Sequence, residues 1–176
     1  MTRYIAYLRG INVGGHRKIK MDDLKQLLVS AGLDNISTYI QSGNVIFDTG
    51  INDRAQLSRL ISKQIIDTYG YDVPVIIRNP DEIRSALDRF PFQEKEGWKG
   101  YISFLSKAPD SERREQWVSS SSEIEKLAAD GNHLFSLVDK QAKEKPQFSN
   151  SFVEKMMGGP ATTRNLRTVR KILDMS

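Results

Sequence analysis

The side chains best suited to binding chemistry lie in a glycine-rich, basic segment at residues 9–20. Two adjacent glycines there lack a Cβ, so backbone N–H groups can converge on an anion, while arginines add positive charge. An asparagine and a histidine could orient a polar ligand. The alternative is a flexible connector between a strand and a helix, whose glycines ease a turn. The candidate ligand-binding residues of this segment are Arg9, Gly10, Asn12, Gly14, Gly15, His16 and Arg17.

A second candidate is the run Thr162, Thr163, Arg164 and Asn165. Either threonine could cap the N-terminus of the last helix, leaving free N–H groups that hold an anion. A cation at a helix start opposes the helix dipole, so Arg164 favours an anion nearby. That anion could be a ligand or an internal carboxylate, and the alternative interpretation is a solvated helix face.

A polar turn between two strands supplies Gln41, Ser42 and Asn44 as further candidates to line the site. Turn chemistry alone would also explain Gly43 and Asn44, because such turns require a positive φ.

Signals for catalysis or metal binding are weak. The chain has no cysteine and two histidines, His16 and His133, neither at metal-ligand spacing from a carboxylate. The glycine pattern matches neither the P-loop nor the dinucleotide-binding fingerprint. No metal site and no cofactor are predicted. Tyr101, Phe104 and Phe135 lie on predicted strands, where core packing is favoured over a base-stacking platform.

The charge is unevenly distributed. The net charge is +4, yet residues 1–20 contain five basic side chains and no acidic one. Residues 161–176 contain four basic side chains and one acidic one. These two segments would create a local positive field if they met in space. No segment approaches the roughly 20 apolar residues of a membrane span, and no secretory signal is expected, so a cytoplasmic location is predicted.

The elements that must position the first site follow a β-α-β-β-α-β order. Strands are predicted at residues 4–8, 36–41, 45–47 and 73–78, the last at a sheet edge because Pro74 cannot donate to a ladder. The first helix begins at Asp22 and ends at Gly32, and the second is capped by Asp53 and ends near Gly70. This order is typical of the ferredoxin-like arrangement, with two helices on one face of a four-stranded sheet.

The second half predicts a diverged unit of the same kind. Strands are expected at residues 100–105 and 132–137, and a helix, interrupted at the serine run 119–122, at residues 110–129. Residues 140–146 form an exposed loop or hairpin arm. A capping box from Ser151 to Glu154 would open a short helix, and a last helix spans residues 164–175. The predicted fold class is α+β, with a ferredoxin-like unit at residues 1–79 and a second α+β unit at residues 80–176. The last helix can pack back on the first unit.

Three motifs resemble a known family. They are Tyr-Ile-Ala-Tyr-Leu-Arg-Gly-Ile-Asn-Val-Gly-Gly (residues 4–15), Tyr-Ile-Gln-Ser-Gly-Asn-Val (39–45) and Ala-Thr-Thr-Arg-Asn (161–165). Together they resemble the bacterial domain of unknown function 1697, over essentially the whole chain. The resemblance implies two associated ferredoxin-like subdomains and no established activity. The chain departs from the family at Leu166, where a tryptophan is usual, and at residues 140–146, which are unusually charged.

Three functional hypotheses follow. The leading one is binding of a phosphate-bearing or other anionic partner, either a small molecule or nucleic acid, at residues 10–18 and 162–165, which are expected to approach one another. The second is an enzyme acting on a small metabolite, with His16 as acid/base and Arg9, Arg164 and Asn12 holding the substrate. The third is a protein-interaction module in which the motifs are only structural. The oligomeric state is not predicted.

Overall fold

The computed structural model describes all 176 residues, which form eight strands and six helices. The elements are β1 (Thr2–Leu8), α1 (Met21–Ser30), β2 (Asp34–Tyr39), β3 (Asn44–Thr49), α2 (Arg54–Tyr69), β4 (Val75–Arg78), α3 (Pro80–Asp88), β5 (Trp98–Leu105), α4 (Ser111–Ser119), β6 (Glu125–Asp130), β7 (His133–Asp139), α5 (Asn150–Met157), β8 (Ala161–Asn165) and α6 (Leu166–Met175). The α+β class is confirmed. No helix has the length and apolar character that crossing a bilayer requires.

The chain divides into two compact units. The first contains Met1–Ile83 and Ile172–Ser176, and the second contains Arg84–Lys171. The predicted division into subdomains at residues 1–79 and 80–176 stays a prediction.

The first unit contains an antiparallel sheet in the order β2-β3-β1-β4. Alternate residues of β1, namely Tyr4, Ala6 and Leu8, join a core that includes Leu24 of α1 and Ile61 of α2. The two helices therefore cover one face of the sheet, as the period-two pattern of a strand and the 3.6-residue period of a helix dictate. The predicted edge position of β4 is confirmed.

The ends of α2 follow local chemistry. The Asp53 carboxylate accepts hydrogen bonds from the backbone N–H groups of Ala55 (2.8 Å) and Gln56 (3.2 Å), which confirms the predicted cap. Gly70 ends the helix in the left-handed conformation, with φ of 73°.

The second unit repeats this architecture. Its elements β5, α4, β6, β7, α5 and β8 form an antiparallel sheet in the order β6-β7-β5-β8, which is the strand order of the first sheet. Leu105 pairs with Ala161 as Leu8 pairs with Val75. When the strands are superposed on this register, residues 4–8 (Tyr-Ile-Ala-Tyr-Leu) align with residues 101–105 (Tyr-Ile-Ser-Phe-Leu). The second sheet therefore has the strand order of the first, and the ferredoxin-like character of the second unit stays a prediction.

Part of the helix predicted at residues 110–129 is a strand. The helix ends at Ser119, within the predicted interruption, but residues 125–130 pair with β7 instead of continuing as a helix. The buried carboxylate of Glu125 accepts hydrogen bonds from the backbone N–H groups of Gln147 (3.1 Å) and Phe148 (2.6 Å). Tertiary pairing overrides the helix propensity of this segment.

The predicted capping box at Ser151 is wrong by two residues. Ser149 is the N-cap of α5, and its hydroxyl accepts from the Phe152 N–H at 3.1 Å. The Glu154 carboxylate accepts from the N–H of Ala161 at 3.1 Å, so it ties the helix to β8 instead of closing its own first turn.

Candidate functional site

The glycine-rich segment forms a small hydrogen-bonded hairpin at residues 12–17. The N–H of His16 donates to the carbonyl of Val13 (3.0 Å), and the N–H of Asn12 donates to the carbonyl of Arg17 (3.2 Å). Gly14 and Gly15 occupy the turn with φ of 59° and 79°. Positive φ at both central residues is typical of a type I′ turn. We call residues 12–17 the basic hairpin.

The side chain of Asn12 anchors the basic hairpin. Its Nδ2 donates to the carbonyls of Ile19 (2.9 Å) and Gln41 (2.8 Å), and its Oδ1 accepts from the N–H of Ile19 (2.8 Å). Asn12 itself has φ of 55°, a conformation that asparagine tolerates better than most residues. The amide predicted to orient a ligand is therefore used to hold the loop against the β2–β3 turn.

The β2–β3 turn packs tightly against the start of this segment. A Cβ at Gly43 would lie 2.8 Å from Leu8 Cβ and 2.9 Å from Ile11 Cδ1, and the φ of Gly43 is 79°. Only glycine fits there. The buried Asn44 donates to the Tyr39 carbonyl and to Ser42 Oγ, both at 3.0 Å. Turn structure thus accounts for Asn44.

The exposed part of the site is basic. Val13, Gly14, Gly15 and His16 are exposed, and Arg17 is half-buried with φ of 47°. A Cβ built on Gly10 would lie 3.7 Å from Arg17 Nη1, so the guanidinium lies over the backbone at Gly10.

The Arg17 side chain makes no ion pair and no hydrogen bond within the protein. The side chains of His16 and Gln41 also make no hydrogen bond. Arg9 is half-buried, and its N–H donates to the carbonyl of Pro74 at 3.0 Å.

The second candidate segment is a strand, so its predicted role as a helix start is wrong for both threonines. Thr162 and Thr163 pair with Phe104 and Ser103 of β5, and their backbone groups belong to the sheet ladder. The helix begins at Leu166, and Asn165 caps it by accepting from the N–H of Thr168 at 2.9 Å.

Internal contacts occupy most of this segment. Thr163 Oγ1 lies 2.7 Å from Ser103 Oγ and 3.0 Å from Asn150 Oδ1. Arg164 Nη1 donates to the carbonyl of Thr163 at 2.9 Å. The hydroxyl of Thr162 is buried without a hydrogen-bond partner. A binding role for residues 162–165, and their proximity to the basic hairpin, stay predictions.

The first unit contains the same Arg-Asn pair at the end of β4, which sequence reasoning missed. Arg78 Nη1 donates to the carbonyl of Ile77 at 2.9 Å, and Asn79 Oδ1 accepts from the N–H of Glu82 at 2.9 Å. Burial lowers the pKa of Arg78 to about 10. The repeated Arg-Asn dipeptide before a helix was the available signal, and it indicates a local structural role at both places.

The other candidate groups pack in the second unit. His133 is buried and meets the Phe104 ring edge-on, with centroids 5.5 Å apart. Phe135 is buried against Phe90, and Tyr101 contacts Phe148. Core packing is confirmed for Phe104 and Phe135, whereas Tyr101 is only half-buried. No cluster of three or more His, Asp or Glu side chains could hold a metal ion.

Comparison with known proteins identifies the family to which the chain belongs. A family model described as "Protein of unknown function (DUF1697)" matches residues 1–135, which include the glycine-rich segment and the β2–β3 turn. Among solved structures, the conserved bacterial protein SP0830 from Streptococcus pneumoniae is 25% identical with a TM-score of 0.72. That match covers 99% of this chain and 98% of that chain. No curated protein matches the chain. The chain therefore belongs to the DUF1697 family, a family of unknown function.

Proposed function

We propose that the basic hairpin binds a phosphate-bearing or other anionic ligand. The observation that carries this proposal is the half-buried side chain of Arg17, whose guanidinium lies near the backbone of Gly10 and has no partner within the protein. A guanidinium without a protein partner is available to an anion, and such a charge-assisted contact is strong. Guanidinium groups also match the geometry of phosphate oxygens.

The anchoring of the hairpin supports the proposal. The three hydrogen bonds of Asn12 to Ile19 and Gln41 hold the turn before any ligand arrives. Binding then costs little ordering entropy. The positive φ of Arg17 is unfavourable for a residue with a Cβ, and such strain tends to be retained at functional positions.

Other predicted residues contribute at the margins of this site. The exposed Lys18 and Lys20 follow the hairpin and extend its positive charge, while Gln41 and Ser42 belong to the adjoining turn. We favour binding over catalysis because no hydrogen bond orients the imidazole of His16, whereas general acid-base catalysis needs a positioned group.

Two further inferences concern the fold and the location of the protein. We infer that both units are ferredoxin-like, because each has the β-α-β-β-α-β order and the same strand order. We also infer a cytoplasmic location, which fits the complete absence of cysteine.

The proposal is tested by measuring binding of pyrophosphate and of a fluorescent oligothymidylate over a range of salt concentrations. Arg17→Ala should weaken binding about tenfold, since a charge-assisted contact is lost. For the oligonucleotide it should reduce the salt slope by roughly 0.7, the value for one single-strand phosphate contact. Pyrophosphate binding alone would indicate a small-molecule site, and much tighter oligonucleotide binding would indicate nucleic acid.

Arg59→Ala is the matched control. Arg59 is an exposed arginine of the same unit whose side chain also makes no hydrogen bond, but no glycine turn lies beside it in the chain. Equal losses in the two variants, or no measurable binding of either probe, would overturn the proposal.

A further inference from the structure

A cleft of about 640 Å³ opens on the second unit, and none of its lining residues belongs to the sequence motifs. Its walls come from three separate segments: residues 93–98 at the start of β5, residues 123–126 at the start of β6, and Leu137 of β7. Clefts of this size accommodate small organic ligands.

The floor of the cleft is apolar. Leu137 pairs with Gly100, and Trp98 lies two residues before Gly100 on the same strand, so both side chains project from one face of the second sheet. A Cβ at Gly100 would lie 2.6 Å from Leu166 Cδ1 and 2.9 Å from Phe90 Cζ. These two side chains cover the sheet at Gly100, and the half-buried indole of Trp98 lies beside that cover.

Two lysines and two glutamates line the cleft, but only one of the two glutamates lacks a partner. The Glu94 carboxylate has two partners. It accepts a hydrogen bond from the N–H of Gly100 at 2.8 Å and forms an ion pair with Arg170 Nη1 at 3.5 Å. Lys95 Nζ lies 4.8 Å from the centroid of the Trp98 ring.

The Lys126 Nζ donates to the carbonyl of Ser122 at 3.1 Å, and neither Lys95 nor Lys126 has a carboxylate partner. Glu123 is the one lining carboxylate without a partner. The cleft therefore contains two lysines without a carboxylate partner and one glutamate without a partner.

We propose that this cleft binds a flat aromatic molecule that carries an anionic group. The ring would displace the Lys95 ammonium from its place over the indole of Trp98, stack on that indole and contact Leu137, as aromatic surfaces do. The anionic group would lie between Lys95 and Lys126 and replace water around both ammonium groups. The site lies wholly within the second unit and is independent of the proposed function of the basic hairpin.

Tryptophan fluorescence tests the proposal directly. Trp98 and Trp117 are the only tryptophans, and Trp117 is fully buried. The neutral quencher acrylamide should therefore quench mainly Trp98. Adenosine monophosphate or benzoate should protect Trp98 from quenching, whereas adenosine and inorganic phosphate should protect it far less. The ratio of the two protective probes shows whether phosphate or carboxylate is preferred.

Matched variants separate binding from folding. Lys126→Ala should weaken the protective ligand about tenfold. Lys99→Ala removes an exposed lysine that lies beside Trp98 in the chain but outside the cleft, and it should change nothing. Trp98→Ala should abolish binding, measured by calorimetry, while the emission of Trp117 confirms a folded core. Arg17→Ala should leave the protection unchanged.

Several outcomes would overturn this site. They are an absence of protection by both anionic probes, protection by adenosine equal to that by its monophosphate, or equal losses in the Lys126 and Lys99 variants.

Discussion

Replacement of Asn12 by alanine tests whether the basic hairpin is held by one side chain. The amide makes three hydrogen bonds to backbone groups, two to Ile19 and one to the carbonyl of Gln41. Ile19 is only 2% exposed, so water cannot readily replace the bond to its N–H. Alanine is also poorly suited to the φ of 55° at this position.

The expected loss of stability follows from these contacts. Each hydrogen bond contributes about 1 kcal/mol net, and the left-handed backbone costs alanine about 1 kcal/mol more than asparagine. Asn12→Ala should therefore lower the free energy of unfolding by about 4 kcal/mol. The ligand affinity of the basic hairpin should fall with it, because the turn is no longer preorganised.

Asn35→Ala is the matched control for backbone conformation. Asn35 has φ of 47° and makes one exposed side-chain hydrogen bond, to Asp48 Oδ2 at 2.8 Å. Its replacement should cost about 2 kcal/mol, so the difference between the variants reports the two additional bonds of Asn12. Urea denaturation followed by circular dichroism measures both, provided the m-values agree. A cost below about 1 kcal/mol for Asn12→Ala, or one equal to that of Asn35→Ala, would refute the anchoring role.

Two further predictions concern the same unit. Gly43→Ala should destabilise the protein by about 2 kcal/mol more than Gly15→Ala in urea denaturation. Both glycines have φ of 79°, but only at Gly43 would the added Cβ lie within 3 Å of other side chains. Equal losses of stability would contradict this prediction. The side-chain hydrogen bond from Asn35, helped by Arg3 and opposed by partial burial, lowers the pKa of Asp48 from 3.8. A carboxyl group whose pKa is lower in the folded state stabilises the fold at pH values above its unfolded pKa. That stabilisation is lost as the pH falls through the folded pKa. The free energy of unfolding should thus decline below about pH 5. Urea titrations at about pH 6 and about pH 3 measure this decline, which should be smaller in Asn35→Ala. Identical declines in the two proteins would contradict the assignment.

Local signals predicted most elements of the fold. Asp53 and Gly70 mark the ends of α2 because a side-chain cap and a left-handed glycine act within a few residues of themselves. The β-α-β-β-α-β order of the first unit followed from periodicity and these caps. Where the local signal was ambiguous, at residues 125–130 and 162–165, pairing with β7 and β5 decided the structure.

The same distinction between local signals and tertiary contacts applies to the candidate site. Residue types alone predicted that Gly14, Gly15 and Arg17 lie in a basic turn between a strand and a helix, since glycine and charge are properties of single residues. The lack of a partner for Arg17 and the anchoring role of Asn12 depend on the folded chain, because Gln41 lies 29 residues from Asn12 in the sequence. The Trp98 cleft could not be predicted either, since its walls come from segments that meet only after the second sheet has formed. Hydrogen-bond partners and enclosed surfaces are properties of the packed chain, whereas conformational freedom and charge belong to each residue.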